Sequence, residues 1–154
     1  MLKIGVLSDT HLHKVTTELR NLMEVVFRDI DILFHVGDMV DLAVYEYLSN
    51  WNIKAVRGNM DSPYVGSMLP EKRIEEINNK RIGLIHGWGS PRGIEDRVMA
   101  EFNDVDIIIF GHSHVPLISK RDNITLFNPG SFRDTNTAGI IEMGDEVSFR
   151  HITL

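Results

Sequence analysis

Five short apolar runs, each followed at once by a glycine or by a residue able to bind metal, dominate the hydrophobic pattern of this chain. They cover residues 3–8, 31–36, 53–57, 81–85 and 106–110. Runs of this length and composition are typical of strands buried on both faces. Because sites in α/β proteins form outside the carboxyl ends of the strands, we expect the five run ends to meet at one end of one sheet.

Two segments between the first three runs show the period of amphipathic helices. Apolar residues recur at helical spacing over 15–27, where Thr16 or Thr17 can serve as the N-cap. Residues 42–48 predict a second helix, with Asp41 placed to cap it. The first part of the chain therefore alternates strand and helix.

The second part of the chain predicts one further helix and three hairpins. A third helix is expected to start at Ser90-Pro91, because a capping residue precedes a proline at the first helical position. The hairpin strands are 71–77 with 80–85, 115–120 with 124–127, and 138–143 with 146–153. Strand–helix alternation in the first part of the chain, followed by hairpins in the second, predicts a four-layer α/β/β/α sandwich with mixed sheets. We expect residues 1–154 to form this sandwich as a single domain.

Composition narrows the classes of function. The 154 residues contain no cysteine, which excludes disulfides and thiolate metal sites. The net charge is −6 and the basic residues are scattered, so we expect neither a nucleic-acid polymer nor a membrane as partner. No apolar stretch is long enough to span a bilayer. A strand starting at residue 2 or 3 leaves no room for a signal peptide, and we expect a cytoplasmic protein.

Seven residues at the ends of the runs have nitrogen or oxygen atoms suited to divalent metals. These candidate ligands are Asp9, His11, Asp38, Asn59, His86, His112 and His114. Residues two apart in an extended backbone face the same way, so the pairs 9/11 and 112/114 can each reach one ion. Taken alone, an Asp-x-His pair is usually part of a turn, Gly-Asn is usually a turn, and a lone histidine is usually a core residue. The hypothesis of a two-metal hydrolytic centre rests on their coincidence at five strand ends.

The ordered blocks of these residues resemble a known family. Asp9-x-His11, Gly37-Asp38, Gly58-Asn59, His86-Gly87 and Gly111-His112-x-His114 are similar to the signature of the calcineurin-like metallophosphoesterases. The short length and the segment Asn128-Pro129-Gly130-Ser131 resemble the small YfcE-type phosphodiesterase branch of that family. The family fold is a β-sandwich flanked by helices, in agreement with the layers predicted above.

The resemblance implies a divalent-metal-dependent phosphodiesterase that acts through a dinuclear centre and a bridging hydroxide. One metal would be held by Asp9, His11, Asp38 and His114, and the other by Asp38, Asn59, His86 and His112. Asp38 would bridge the two ions, and Asp38, Asn59, His86 and His114 are the expected catalytic residues. The cofactors would be two divalent ions, Mn²⁺ first, with Ni²⁺, Fe²⁺ or Zn²⁺ as alternatives. The expected substrate is a small phosphodiester, nucleotides included, and a homodimer is the default for a small soluble enzyme.

One position departs from many larger members of the family. Those members have a histidine after Gly-Asn that is thought to protonate the leaving alkoxide, whereas this chain has Met60. A thioether cannot donate a proton, so activated aryl diesters should be favoured as substrates. We interpret the following Asp61 as a solvated turn residue rather than one that positions the Asn59 loop.

Two other classes of function remain open. The retromer subunit with this fold is thought to act as a protein-interaction scaffold with altered metal ligands, and phosphomonoesterase activity is a further alternative.

Around the expected site, Arg57 could contact phosphate or form an ion pair, and Trp88 could wall the pocket or only cover the core. We expect His35 to be buried and hydrogen-bonded rather than a ligand. We assign the turn at Asn128-Pro129-Gly130 no catalytic role.

Overall fold

The computed structural model describes residues 1–154 and contains two five-stranded mixed sheets. The first sheet has the order β10-β9-β1-β2-β3, formed by Val147–Thr153, Thr137–Met143, Leu2–Leu7, Ile32–His35 and Ile53–Ala55. The second has the order β4-β5-β6-β8-β7, formed by Lys72–Ile77, Lys80–Ile85, Ile107–Ile109, Ile124–Asn128 and Leu117–Arg121. All three hairpins predicted from the sequence are present.

Four short helices connect and cover the strands. They are α1 (Thr17–Asn21), which continues as a π-helical turn over Leu22–Val26, α2 (Leu42–Leu48), α3 (Pro63–Met68) and α4 (Ile94–Met99). The predicted caps of the first two are confirmed, since Thr16 accepts a hydrogen bond from the Leu19 amide and Asp41 accepts one from the Ala43 amide. None of the helices combines the length and apolar character needed to cross a membrane.

The predicted start of the third helix at Ser90 is wrong. Ser90 Oγ accepts a hydrogen bond from the Arg92 amide in a local turn, and Gly93 then adopts a left-handed φ of 80° before the helix begins at Ile94. The sequence analysis also missed α3, although Ser62 caps it and Pro63 occupies its first turn. At six residues, α3 is too short to show a clear helical period.

The buried residues confirm the predicted order of layers. Between the sheets, Ile4 and Val6 of β1 pack in one cluster with Ile82 and Leu84 of β5. On the outer face of the first sheet, Leu7 packs with residues of the first two helices; on the outer face of the second, Ile108 packs with residues of α4. The architecture is therefore an α/β/β/α sandwich.

The ends of the strands that precede the candidate ligands meet at one edge of this sandwich, but they come from two sheets. The expectation of a single sheet is therefore wrong: β1, β2 and β3 belong to one sheet, and β5 and β6 to the other. Hydrogen bonds join the two edges directly, since His86 Nδ1 donates to the Val36 carbonyl (2.7 Å) and the His112 amide donates to Asp9 Oδ2 (3.1 Å). Periodicity identifies each buried strand but carries no information on which sheet it joins.

Candidate active site

The fold brings the side chains of all seven candidate ligands to the edge where the two sheets meet. Two groups have ligand atoms that all lie within 4.8 Å of one another: Asp9, His11 and His114 form one, and Asp9, Asp38 and His86 form the other. Asp9 is shared by both groups, and it is fully buried.

The first group leaves buried polar atoms without partners. Asp9 Oδ1 lies 3.2 Å from His114 Nε2 and 3.6 Å from His11 Nε2, and the latter atom is also 3.6 Å from Asp38 Oδ2. Asp9 Oδ1 and His11 Nε2 are buried and have no hydrogen-bond partner. Because an unpartnered buried polar atom is costly, this arrangement fits a cation that several acceptors surround at once.

Next to the second group, the rings of His86 and His112 bring two imidazole nitrogens close together, with the ring planes at 78° to each other. His86 Nε2 lies 3.1 Å from Asn59 Oδ1, 3.3 Å from Asp38 Oδ2 and 3.3 Å from His112 Nδ1. The second nitrogen of each ring donates a hydrogen bond to a backbone carbonyl. His86 Nδ1 donates to Val36, and His112 Nε2 donates to Gly89 at 2.9 Å. Two bare nitrogens this close require a proton or a metal ion between them, so the donor set fits a divalent metal bound by nitrogen and oxygen.

The charges of the cluster also favour a bound cation. Burial alone would raise the pKa of Asp9, but the neighbouring rings of His11 and His86 outweigh it and lower this pKa to about 2. Asp9 raises the pKa of His11 despite partial burial of that ring. Burial lowers the pKa of His86, yet Asp38 and Asp9 raise it more, so the net shift is upward. The Asp9 carboxylate is therefore ionised and stabilises positive charge among the imidazoles.

Five of the seven candidate ligands have a left-handed backbone. Their φ values are 53° at Asp9, 46° at His11, 61° at Asp38, 69° at His112 and 63° at His114. Residues other than glycine are uncommon in this region, and such strain is concentrated at functional sites. Each ligand thus leaves its strand through a sharp turn that aims the side chain back towards the shared edge.

Asp61 holds this turn structure together, which corrects our interpretation of it as a solvated residue. Its carboxylate accepts hydrogen bonds from three backbone amides, those of Gly58 (2.7 Å), Val40 (2.7 Å) and Asp38 (3.2 Å). The loops after β2 and β3 are therefore joined through one side chain. Two of the three donors are distant in the sequence, so local pattern could not show this role.

His35 supports the same turn, and it is buried and hydrogen-bonded as the sequence analysis expected. Its Nδ1 accepts a hydrogen bond from the Gly37 amide (3.1 Å), so the proton is on Nε2 and is donated to Thr10 Oγ1 (3.3 Å). Burial lowers the pKa of His35 to about 4. The ring is therefore uncharged at neutral pH and keeps this tautomer.

The end of β8 and the turn that follows it support the site, and the sequence analysis missed this role. Asn128 Nδ2 donates to the Gly111 carbonyl and to Ser113 Oγ, while Ser131 Oγ donates to the Asp9 carbonyl. The turn therefore braces the loops that carry Asp9 and His112, although it supplies no candidate ligand.

Asp134 is a further missed residue, in contact with a candidate ligand. Its Oδ2 accepts a hydrogen bond from His114 Nδ1 at 2.6 Å. This contact fixes the tautomer of His114 and leaves Nε2 free to face Asp9. A carboxylate partner of this kind orients a metal-binding histidine and increases its basicity. No sequence signal connects residues 114 and 134, because the strands between them set their contact.

Residues whose roles the sequence left open now have defined surroundings. Arg57 lies 3.9 Å from Glu71 as an exposed ion pair. Trp88 is 44% exposed and lies beside the candidate site instead of covering the core.

Comparisons with known proteins identify the family and the fold. Residues 2–144 match the model of the calcineurin-like phosphoesterase superfamily domain. A probable metallophosphoesterase of Methanocaldococcus jannaschii is 41% identical over 132 residues, which are 83% of this chain and 67% of that protein. The solved structure of an archaeal phosphodiesterase is 26% identical with a TM-score of 0.78, covering 99% of this chain and all of that one. Vps29 from Chaetomium thermophilum, at 21% identity and a TM-score of 0.79, covers 99% of this chain and 97% of its own and shows the same fold. The chain belongs to the calcineurin-like phosphoesterase superfamily.

Proposed function

We propose that this chain is a divalent-metal-dependent phosphodiesterase that hydrolyses small phosphodiesters at a dinuclear centre. The observation that carries the proposal is the close approach of two imidazole nitrogens, His86 Nε2 and His112 Nδ1, 3.3 Å apart beside the carboxylates of Asp9 and Asp38. The name of the archaeal relative, a phosphodiesterase, supports the diester as the class of substrate.

The proposed ligand sets are those that the family resemblance implies. Asp9, His11, Asp38 and His114 would hold one ion, and Asp38, Asn59, His86 and His112 the other. Asp38 is our choice for the bridge because its Oδ2 lies between His11 and His86, at 3.6 and 3.3 Å. Mn²⁺ is the first choice of metal, with Ni²⁺, Fe²⁺ and Zn²⁺ as alternatives.

The residues of the chain would act mainly by orientation and charge. Divalent ions held here would supply Lewis-acid charge for the phosphoryl group and lower the pKa of a bound water. Asn59 is exposed at the mouth of the site, where its amide can contact a phosphate oxygen. His114, oriented by Asp134, and His86, oriented by the Val36 carbonyl, are fixed in the tautomers that direct Nε2 inward.

The alternative of a protein-interaction scaffold predicts a different environment for the same residues. A binding surface would not need two buried acceptors without partners, whereas Asp9 Oδ1 and His11 Nε2 are left in that state. This observation favours the enzyme. Phosphomonoesterase activity remains the second alternative, since the same charges would bind a monoester.

The deciding experiment compares hydrolysis of bis-p-nitrophenyl phosphate with that of p-nitrophenyl phosphate. The protein is first stripped with a chelator, and Mn²⁺, Ni²⁺, Mg²⁺ or Zn²⁺ is then added back. We expect diester hydrolysis to return with metal and to exceed monoester hydrolysis. Preference for the monoester would instead support the phosphomonoesterase, and metal binding without either activity would support the scaffold.

Replacing Met60 with histidine should change the preference for the leaving group. The Met60 side chain is 56% exposed and its amide donates to Asp38 Oδ1 at 2.7 Å, so a histidine fits there next to the site without repacking. An added proton donor should raise the rate on alkyl diesters about tenfold or more and leave aryl diesters nearly unchanged. The rates of both classes are compared with those of Met60→Gln, and an equal gain on both would contradict the idea.

Removing the carboxylate of Asp134 should weaken metal binding without unfolding the protein. Asp134→Ala removes the acceptor that orients His114, and we expect affinity for Mn²⁺ to fall about tenfold. Calorimetric titration measures the affinity, with Glu142→Ala as the control. Glu142 lies opposite Lys3 in the β1–β9 register, far from Asp9. Its loss changes the net charge by the same amount as the loss of Asp134. Equal affinities in both variants would show that Asp134 has no positioning role.

A further inference from the structure

A cavity of about 300 Å³ opens directly beside the second group of candidate ligands. Its lining includes Asn59 and His86 together with Arg57, Glu71 and Trp88; we call it the Trp88 pocket. Its volume is at the lower end of that of small-molecule sites. A larger depression of about 830 Å³ lies beside the start of β1, and none of the seven candidate ligands lines it.

Trp88 is exposed, yet its backbone is firmly held. Arg97 Nε donates to the Trp88 carbonyl at 2.8 Å, and the same guanidinium also donates to the carbonyls of Ser90 and Arg92. Gly87 and Gly89 on either side have φ values of 96° and 83°, which side chains rarely adopt. The loop is therefore held in one shape while the indole remains 44% exposed.

This loop is also tied to the candidate metal centre. Gly89, the residue after Trp88, accepts the hydrogen bond from His112 Nε2 at 2.9 Å. His86, two residues before Trp88, is itself a candidate ligand. The backbone that carries the indole is thus fixed relative to the side chains that would hold the phosphoryl group.

The charges of the Trp88 pocket offset one another. Arg57 and Glu71 lie 3.9 Å apart and carry opposite charges. Because these opposite charges largely cancel, the pocket has no net charge that favours an anionic or a cationic substituent, and it is suited to an uncharged group. An exposed indole offers such a group a flat face for stacking.

We propose that the Trp88 pocket binds an uncharged aromatic ring carried by one ester group of the phosphodiester, such as the base of a nucleoside, stacked on the Trp88 indole. The proposal rests on the proposed function, since it places the phosphate at the neighbouring metal centre. It makes Trp88 a specificity-determining residue and narrows the substrates to aryl or nucleoside diesters.

The test measures equilibrium binding, separately from turnover. Adenosine 5′-monophosphate and ribose 5-phosphate carry the same phosphate on the same sugar position and differ in the base. Their dissociation constants are determined by calorimetry on the Mn²⁺-loaded protein and on Trp88→Leu. We expect the variant to bind the nucleotide about tenfold more weakly and the sugar phosphate about equally well, because only the base is stacked.

Two further variants define what the result means. Trp88→Phe retains an aromatic face and should keep most of the affinity for the nucleotide. Trp51→Phe alters the other tryptophan, which packs on Tyr47 with ring centroids 5.3 Å apart, and should change neither constant. Equal weakening of both probes by Trp88→Leu, or no weakening of either, would overturn the proposal. Base-dependent binding without diester hydrolysis would overturn the proposed function and leave the Trp88 pocket intact, whereas a wild-type protein that binds neither probe would overturn both.

Discussion

Replacing Asp38 with asparagine is expected to reduce metal-restored diester hydrolysis by about 10³-fold, the upper end of what loss of one electrostatic stabiliser costs. Asp38 is 2% exposed, and its Oδ2 faces one histidine from each group of candidate ligands. Asparagine has nearly the same shape and can adopt the same left-handed backbone, so the change removes charge with little strain. Rates at saturating Mn²⁺ measure the effect, and circular dichroism verifies the fold.

Asp41→Asn is the matched control for this variant. Asp41 lies three residues further on and caps α2 by accepting the Ala43 amide. Asparagine is an equally good N-cap, so both stability and hydrolysis should stay close to those of the wild type. If Asp38→Asn kept the activity of Asp41→Asn, the bridging role proposed for Asp38 would be refuted.

A methyl group added at Gly58 should damage both the site and the stability of the fold. A Cβ at this position would meet the Asp38 amide nitrogen at 2.5 Å and the carboxylate carbon of Asp38 at 2.9 Å. The Asp38 turn and the Asn59 loop would have to separate, which also disturbs the amides bound by Asp61. We expect Gly58→Ala to lower the free energy of unfolding by about 1–3 kcal/mol and to abolish hydrolysis.

The same substitution at Gly66 provides the comparison. Gly66 lies within α3, where an added Cβ would meet nothing within 4 Å. Alanine is a better helix former than glycine, so Gly66→Ala should leave stability unchanged or raise it by up to about 1 kcal/mol. Denaturant unfolding and hydrolysis are measured for both variants. If the two variants had similar stability and similar rates of hydrolysis, the close approach of Gly58 to Asp38 would not matter for either property.

The parts of the fold that depend on local pattern could be predicted from the sequence. The hairpins, the caps at Thr16 and Asp41, and the candidate ligands at strand ends are each defined by residues close together in the chain. The order of layers also followed, because strand–helix alternation at the start and hairpins at the end leave few ways to bury the apolar faces.

The parts that depend on distant contacts could not be predicted. The division of the ligand-bearing strands between two sheets depends on pairing between β1 and β9 and between β6 and β8, which periodicity does not encode. Asp61 and Asp134 have ordinary sequence surroundings, and their partners at Val40 and His114 lie about 20 residues away. Their roles follow only from the folded arrangement.

The left-handed backbone at the candidate ligands has a consequence for how this chain can change in evolution. Asparagine tolerates that backbone, so replacing Asp9 or Asp38 by asparagine removes a charge while keeping the turn. Aspartate and asparagine codons differ by a single nucleotide. A duplicated copy selected only for binding a partner could therefore lose its metals in single steps, each of which leaves the sandwich and its surface unchanged. Single substitutions in this architecture can therefore abolish catalysis while the fold is retained.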